Sequence, residues 1–280
     1  MSTIIDGKKI ANEIFVKLKK TILNEPKKPG LAVILANNDQ ASKIYVDNKE
    51  KRCVQLGIKS SVFRFDKSIT QGDLIKLIHE LNNTPSINGI LVQLPLYKHL
   101  NPQEIIELID PKKDVDGFHP INIGRLCANL PAYAIPCTPK GIIKLLKAYD
   151  IDLVGKNVVV IGRSNIVGKP AALLFSNENA TVTIAHSKTK DLKKITKKAD
   201  IIVSATGCPK LIKADMVKKG AVVIDVGITK QLDKSLVGDV DFEKVKNVAG
   251  CITPVPGGVG PMTIACLMEN TYELFKLQNK

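Results

Sequence analysis

The chain has 280 residues, 44% of them hydrophobic, which is long for a single hydrophobic core and predicts a globular protein of two domains. Its formal net charge is +14, but the basic residues are mostly dispersed lysines, tryptophan is absent and aromatic residues make up only 4%, which disfavours a nucleic-acid partner. No secretory signal precedes the first apolar run, and no apolar stretch has the length of a membrane span, so we expect a cytoplasmic protein without a membrane partner.

The cysteines are consistent with that compartment. There are six, they lie far apart, none forms a Cys-x-x-Cys pair, and the four histidines do not cluster with them. We therefore predict reduced thiols and no metal site.

The first half of the chain alternates helices and strands. Apolar residues at helical spacing predict a helix over 10–22, and Gly57 is a suitable C-cap for a helix that begins near Gln40. Thr138 and Pro139 predict the N-cap and first position of a helix that links the domains. The other predicted segments are strands at 31–35, 62–65 and 89–94, a helix over 74–81 and a turn-rich region at 111–139.

The second half contains the most informative pattern. A run of β-branched residues at 158–161 stops at Gly162, Gly168 follows, and a helical pattern begins. A helix N-terminus offers N–H groups and a positive dipole end to phosphate, and glycine lets the backbone approach it. The spacing Gly-x5-Gly also fits an ordinary turn, but the strand–turn–helix context favours a Rossmann unit. Continuous apolar runs predict further parallel strands at 181–185, 200–207 and 221–227, and a helical pattern covers 263–277.

The residues after the second strand of this unit indicate which nucleotide binds. An NAD site usually carries Asp or Glu there, which accepts a hydrogen bond from the ribose 2′-OH. This chain has Ser187 and Lys188 there, with no acid before Asp191, and it offers Arg163 after the first strand. We therefore predict NADP as the cofactor.

Three polar features of the first half could carry chemistry. Ser42, Tyr45 and Lys49 share one helix face, and a surface lysine beside a half-buried tyrosine is the alternative interpretation. Gln93 ends an apolar strand, where it is either functional or a core amide with its partners satisfied. Asp116, in a loop, would be able to accept two parallel hydrogen bonds from an amidine-like group, with capping or metal binding as the alternatives.

These features belong to six motifs that occur in order along nearly the whole chain. Together the motifs resemble the bifunctional methylenetetrahydrofolate dehydrogenase/methenyltetrahydrofolate cyclohydrolase family. They are Ser42-x-x-Tyr45-Val46-x-x-Lys49, Val92-Gln93-Leu94-Pro95-Leu96, Lys113-Asp114-Val115-Asp116-Gly117, Pro136-Cys137-Thr138-Pro139, Gly162-Arg163-Ser164-x-x-Val167-Gly168-Lys169-Pro170 and Pro256-Gly257-Gly258-Val259-Gly260-Pro261-Met262-Thr263.

The resemblance implies an α/β protein with an N-terminal α/β folate domain at 1–138 and a Rossmann-type NADP-binding domain at 139–261. A C-terminal helix, 262–280, would return to the first domain. The implied reactions are oxidation of 5,10-methylenetetrahydrofolate with NADP+ and hydrolysis of the methenyl product to 10-formyltetrahydrofolate, in one-carbon metabolism. The implied partners are a polyglutamylated folate and a second copy of the chain, joined through the NADP domain as a homodimer.

The resemblance also implies roles for individual residues. Lys49 would manage protons in the hydrolysis, Gln93 would orient its amine, and Tyr45 would pack against the folate ring system. Asp116 would hold the pterin edge. Further substrate contacts are expected from Ser42, Gly258 and Pro261, and the NADP site would be lined by Gly162, Arg163, Ser164, Ser187 and Ile228.

Two other functions are consistent with parts of this pattern. A shikimate-dehydrogenase-like enzyme also combines an N-terminal α/β domain that carries a catalytic lysine with a C-terminal NADP domain. A non-catalytic nucleotide-binding module that recruits nucleic acid by its charge is the second, but the presence of Lys49, Gln93 and Asp116 argues against it.

Overall fold

The structure is a computed structural model that describes residues 2–231 and 235–279. The chain divides into two compact units. Glu13–Cys137 and Leu267–Lys280 form what we call the three-stranded unit. Met1–Asn12 and Thr138–Cys266 form the six-stranded unit.

Strands and helices alternate along most of the chain. In chain order they are β1 (Thr3–Ile4), α1 (Gly7–Leu23), β2 (Gly30–Leu35), α2 (Gln40–Leu56), β3 (Lys59–Arg64), α3 (Gln71–Asn83), β4 (Gly89–Val92), α4 (Pro102–Glu107), α5 (Pro120–Cys127), α6 (Cys137–Ala148), β5 (Asn157–Ile161), α7 (Gly168–Asn177), β6 (Thr181–Ala185), α8 (Leu192–Thr196), β7 (Ile201–Ser204), β8 (Val222–Asp225), β9 (Thr229–Lys230), β10 (Leu236–Val237), α9 (Phe242–Val245), β11 (Cys251–Ile252) and α10 (Val259–Gln278).

The sheet of the three-stranded unit is parallel, in the order β3-β2-β4. Every residue of the central strand β2 is buried, as its uninterrupted apolar sequence requires. Val33 of β2 lies opposite Val62 of β3 and Leu91 of β4. α2 follows β2 and ends, as predicted, at Gly57, whose φ of +79° is the left-handed conformation of a C-cap.

The core of this unit lies between its sheet and α3. Apolar side chains of α3 recur at helical spacing, with Leu74 and Ile78 fully buried, and they pack with Ile34 of β2 and Ile90 of β4. Each such side chain contributes about 1.5–3 kcal/mol to folding when it is removed from water. The sheet is therefore a fixed base for the polar residues that follow its strands.

The sheet of the six-stranded unit is also parallel, in the order β1-β11-β8-β7-β5-β6. From β5 the chain continues to β6, which lies on one side of β5, and then to β7, which lies on the other side of β5. The carboxyl ends of β5 and β7 therefore form a topological switch point, where ligands bind in open α/β sheets. The predicted α/β architecture with parallel sheets is confirmed.

Several local predictions were wrong. Thr138 is not an N-cap, because α6 already begins at Cys137, and its hydroxyl instead shares a 2.9 Å hydrogen bond with that of Thr263. The turn-rich region contains the short helix α5, and α10 begins at Val259, ahead of the predicted 263. A helix as short as α5 shows little periodicity, so only its start signal, an N-cap followed by proline, marks it in the sequence.

Candidate functional site

Lys49 occupies a buried position on α2. The buried residues of this helix recur at spacings of three and four positions and include Ser42, Val46, Lys49 and Cys53. Lys49 is only 8% exposed, which excludes the surface-lysine alternative. Its Nζ donates a 2.8 Å hydrogen bond to Oε1 of Gln93, which follows β4. The Nε2 of Gln93 donates in turn to the carbonyl of Leu94 at 2.9 Å, so the amide presents its oxygen to the amine.

Lys49 and Asp116 influence each other electrostatically. Burial lowers the pKa of Lys49 from its ordinary value, because the ammonium form loses its hydration, and the negative charge of Asp116 partly opposes this shift. Burial raises the pKa of Asp116 to about 6, and the positive charge of Lys49 acts in the opposite direction. The pKa of the Lys49 amine is thereby shifted towards neutral pH, where a lysine can exchange protons with a ligand.

The loop that carries Asp116 is held by a buried carboxylate next to it. Oδ1 of Asp114 accepts a hydrogen bond from the backbone N–H of Gly117 at 3.0 Å. Oδ2 of Asp114 accepts from the backbone N–H of His119 at 2.8 Å and from Nδ2 of Asn122 at 2.9 Å. Because these donors come from three points along the chain, they fix the backbone on which Asp116 sits.

Cys137 lies beside Asp116, although its role was not anticipated from the sequence. Its Sγ is 3.9 Å from Oδ1 of Asp116 and donates to the carbonyl of Val115 at 3.4 Å. Cys137 belongs to one of the six motifs, which was the available signal. The thiol supplies a weak donor that faces the carboxylate.

Asn270 of α10 is a second residue that the sequence interpretation missed. It is fully buried, and its Nδ2 donates to the carbonyls of Val115 at 2.8 Å and Ile135 at 2.9 Å. It thus joins the Asp116 loop to the segment before Cys137. A polar residue on the apolar side of a helix, four positions before Leu274, was the signal that could have revealed it.

Tyr45 and Ser42 stand on the same helix but in different environments. Tyr45 is 38% exposed, and partial burial of its phenol raises its pKa. Ser42 is buried, and both its backbone N–H and its hydroxyl donate to Oδ2 of Asp39, the N-cap of α2, at 2.8 and 2.9 Å. The Ser42 hydroxyl therefore serves helix capping, and its contact with substrate stays a prediction.

The turn between β5 and α7 is built so that only glycine fits at two positions. Gly162 has φ +121°, and a Cβ there would lie 2.4 Å from the carbonyl oxygen of Ala205. A Cβ on Gly168 would lie 2.2 Å from the carbonyl oxygen of Gly162. Ser164 closes the turn, since its Oγ accepts hydrogen bonds from the backbone N–H groups of Val167 and Gly168 at 3.2 and 3.3 Å.

This turn fits a dinucleotide phosphate. It lies at the carboxyl edge of the sheet, next to the switch point, and α7 has no acidic residue in its first turn to oppose an anion. The missing side chain at Gly162 lets the turn pack closely against Ala205 in the loop after β7. The residues present therefore fit the predicted cofactor.

Arg163 and Ser187 lie at the same edge of the six-stranded sheet. Ile161 at the end of β5 is paired with Ala185 at the end of β6, so the two residues leave neighbouring strands at matching heights. Both side chains are exposed. The turn after β6 is closed by a 2.8 Å hydrogen bond from the backbone N–H of His186 to Oγ1 of Thr189.

The remaining predicted residues also belong to the six-stranded unit. Ile228 follows β8 and is 43% exposed. Gly258 is buried, and its N–H donates to the carbonyl of Pro254 at 2.9 Å. Pro261 lies in the first turn of α10. Gly258 and Pro261 belong to the six-stranded unit and Lys49 to the three-stranded unit, and the contact of Gly258 and Pro261 with folate stays a prediction.

Over residues 2–231 and 235–279, no three His, Cys, Asp or Glu side chains are grouped so that they could hold a metal ion. None of the six cysteines forms a disulfide. Within the same ranges no helix combines the length and the apolar character needed to cross a bilayer.

Two family models together match most of the chain. Residues 5–116 match the catalytic domain of tetrahydrofolate dehydrogenase/cyclohydrolase, and residues 136–279 match the NAD(P)-binding domain of the same family. The second match begins at residue 136, close to the Cys137/Thr138 boundary between the units.

Individual relatives match over nearly their full length. The bifunctional protein FolD of Listeria innocua is 52% identical over 279 residues, which cover 99% of this chain and 98% of the relative. The crystal structure of the bifunctional enzyme from Campylobacter jejuni superposes with a TM-score of 0.97 at 50% identity and 99% coverage of both chains. The Trypanosoma brucei enzyme, solved with NADP and an inhibitor, has a TM-score of 0.95 at 36% identity and covers 100% of this chain and 99% of its own.

The shikimate dehydrogenase alternative is matched at the level of the fold. The enzyme from Aquifex aeolicus covers 91% of this chain and 94% of its own, with a TM-score of 0.54 and 18% identity. Such a likeness reflects a shared α/β architecture and does not indicate a shared substrate.

Proposed function

Because this chain belongs to the tetrahydrofolate dehydrogenase/cyclohydrolase family, we propose that Lys49, Gln93 and Asp116 form the centre of one folate site that serves two reactions. The enzyme oxidises 5,10-methylenetetrahydrofolate to 5,10-methenyltetrahydrofolate and hydrolyses that cation to 10-formyltetrahydrofolate. The observation that carries the assignment of residues is the buried amine of Lys49, held 2.8 Å from Gln93 and within the field of Asp116.

The oxidation requires positioning more than acid–base chemistry. The folate nitrogens favour departure of the hydride from the methylene bridge, and bound NADP+ supplies its acceptor. The residues of the chain then have to fix the folate and exclude competing orientations. Asp116 holds the amidine edge of the pterin by two parallel hydrogen bonds, and Tyr45 packs against the ring system.

The hydrolysis requires a group that moves a proton. Water adds to the methenyl carbon, loses a proton, and the ring opens at a nitrogen that must gain one. The lowered pKa of Lys49 makes its neutral amine accessible, so that Nζ takes one proton from the attacking water and returns it to the leaving nitrogen. The remaining hydroxyl proton is released to solvent as the C–N bond breaks and the formyl C=O forms. Gln93 keeps Nζ directed at this point by accepting one of its hydrogen bonds.

We assign the NADP site to the carboxyl edge of the six-stranded sheet. Gly162 and Ser164 form the phosphate turn, Ile228 lines the rim, and Arg163 with Ser187 supplies donors for the 2′-phosphate that distinguishes NADP from NAD. Charge-assisted hydrogen bonds of this kind are about twice as strong as neutral ones.

We further propose that the enzyme is a cytoplasmic homodimer joined through the six-stranded unit. β6 ends the sheet, and no strand of the described residues pairs with its outer edge. Ile184 on this strand is 41% exposed, an apolar side chain that a second copy would cover. Sedimentation at micromolar concentration tests the dimer, and a monomer there would overturn it.

The folate is proposed to carry a polyglutamate tail, because a chain of net charge +14 attracts a polycarboxylate. A lower KM for longer tails that is lost at high salt is expected.

The decisive assay supplies methylenetetrahydrofolate with NADP+ or NAD+ in parallel and follows reduced nucleotide and methenyltetrahydrofolate by absorbance. We expect turnover that favours NADP+ and a product that passes on to 10-formyltetrahydrofolate. Equal kcat/KM with the two nucleotides would contradict the assignment of Arg163 and Ser187.

A further inference from the structure

Two buried carboxylates, Asp225 and Asp239, lie beneath the carboxyl edge of the six-stranded sheet. Asp225 ends β8, and Asp239 follows β10. Neither was assigned a role above. Buried charges are costly unless they are well hydrogen-bonded, so what these two hold in place indicates their purpose.

Asp239 anchors the loop that follows β7. Its Oδ2 accepts three hydrogen bonds, from Oγ of Ser204 at 3.0 Å and from the backbone N–H and Oγ1 of Thr206 at 2.6 and 2.9 Å. Between these two residues stands Ala205, whose carbonyl oxygen is packed against Gly162. A single carboxylate oxygen thus fixes the segment that supports the phosphate turn.

Asp239 also contacts the loop that follows β8. A Cβ on Gly227 would lie 2.1 Å from Oδ1 of Asp239, so the backbone next to Ile228 rests directly on this carboxylate. Asp225 ties the same elements together, because its Oδ1 accepts from the backbone N–H groups of Gly227 at 3.0 Å and Asp239 at 2.9 Å. The two loops therefore have a common support.

The arrangement is not the one that stability alone would favour. Oδ1 of Asp239 is buried and has no hydrogen-bond partner within the described part of the chain. Burial and the nearby charge of Asp239 also raise the pKa of Asp225 to about 6. A buried polar atom without a partner is rare in native structures and calls for an explanation, for which a functional role is one candidate.

We propose that Asp239 is a positioning residue for the nucleotide, which sets the placement of the loops after β7 and β8 so that Gly162 and Ile228 meet the cofactor. This inference rests on the proposed cofactor role of those two residues. The nucleotide binds to loops that are already in place at the carboxyl edge of the sheet. Without Asp239 both loops become more mobile in the free protein and must be ordered on binding, so the affinity for the nucleotide falls while the rate of the chemical step does not.

The test is direct binding of NADPH, followed by its fluorescence, together with hydrolysis of methenyltetrahydrofolate in the absence of nucleotide. Asp239→Ala should raise the Kd for NADPH at least about tenfold and leave the hydrolysis within about twofold, because the latter needs no cofactor. Asp239→Asn retains an acceptor oxygen for Thr206 and should restore most of the affinity. Asp241→Ala is the matched control, since that carboxylate faces Lys213 and Lys244 and should leave the Kd unchanged.

An unchanged Kd in Asp239→Ala would overturn the proposal. If that variant loses hydrolysis as well, it has failed to fold, and Thr206→Val decides, because it removes one donor to Asp239 without leaving a charge unsupported. Thr206→Val should bind NADPH several-fold more weakly with hydrolysis intact. Native affinity for NADPH in this variant would also overturn the proposal. Failure of the unmodified protein to bind NADPH would instead refute the cofactor site itself.

Discussion

Protonation of Asp116 should weaken folate binding in both reactions as the pH falls through about 6, the value to which burial raises its pKa. An ionised carboxylate accepts both hydrogen bonds of the pterin amidine edge, whereas a protonated carboxyl presents a donor where an acceptor is needed. With this pKa, about nine-tenths of the carboxyl is ionised at pH 7 and about one-tenth at pH 5. The KM for folate should therefore rise about tenfold over that range, whereas an unshifted aspartate would remain ionised throughout.

The measurement is the KM for methylenetetrahydrofolate oxidation and for methenyltetrahydrofolate hydrolysis between pH 5 and 8. Asp116→Asn should raise both KM values at pH 7 by about ten- to a hundredfold, the equivalent of one lost hydrogen bond to a charged group, and should abolish their dependence on pH. Asp66→Asn, an exposed aspartate of the same unit, is the control and should behave as the native enzyme. The reasoning is refuted if the Asn variant retains the rise in KM at low pH, or if only one of the two reactions is affected.

Two further substitutions test the cofactor and proton-transfer assignments separately. Arg163→Ala should reduce the preference for NADP+ over NAD+ by about ten- to a hundredfold, mainly through the KM for NADP+, and parallel kcat/KM measurements with both nucleotides check it. Gln93→Glu places a negative charge 2.8 Å from the Lys49 amine and should raise the pKa of that amine. The hydrolysis rate should therefore fall at neutral pH and recover at higher pH. A pH–rate profile identical to that of the native enzyme would contradict the role of Gln93.

The long strands and helices of the fold, their turns and their caps could be predicted from the sequence because their signals are local. A continuous apolar strand such as β5, the turn at Gly162 and the cap at Gly57 each depend on a few adjacent residues. The short helices α4 and α5 were missed although both begin with a proline, behind the N-caps Asn101 and His119. That combination is itself a start signal for a helix, so the omission was one of interpretation.

The contacts that hold the site residues in place could not be predicted from the sequence in the same way. Lys49 and Gln93 are 44 residues apart, and Asn270 reaches Val115 across 155 residues, so their contacts exist only after the sheet and α10 have packed. Asp239 gave no motif that assigned it a role, and its hydrogen bond to Thr206 joins segments that follow strands of two different sheets. The motifs predict which residues meet the ligand, whereas the residues that support them are determined by tertiary packing.

The most direct test of the account is to separate the two activities with Lys49→Met, which retains the length and apolar stem of the side chain but removes the amine. Oxidation requires the folate to be held, whereas hydrolysis requires the amine, so hydrolysis should fall by at least the ~10²–10⁴-fold typical of a lost acid–base group. Methenyltetrahydrofolate should then accumulate in a reaction supplied with methylenetetrahydrofolate and NADP+, visible by its own absorbance band. Hydrolysis at the native rate in this variant would contradict the central claim that the buried amine of Lys49 carries the second reaction.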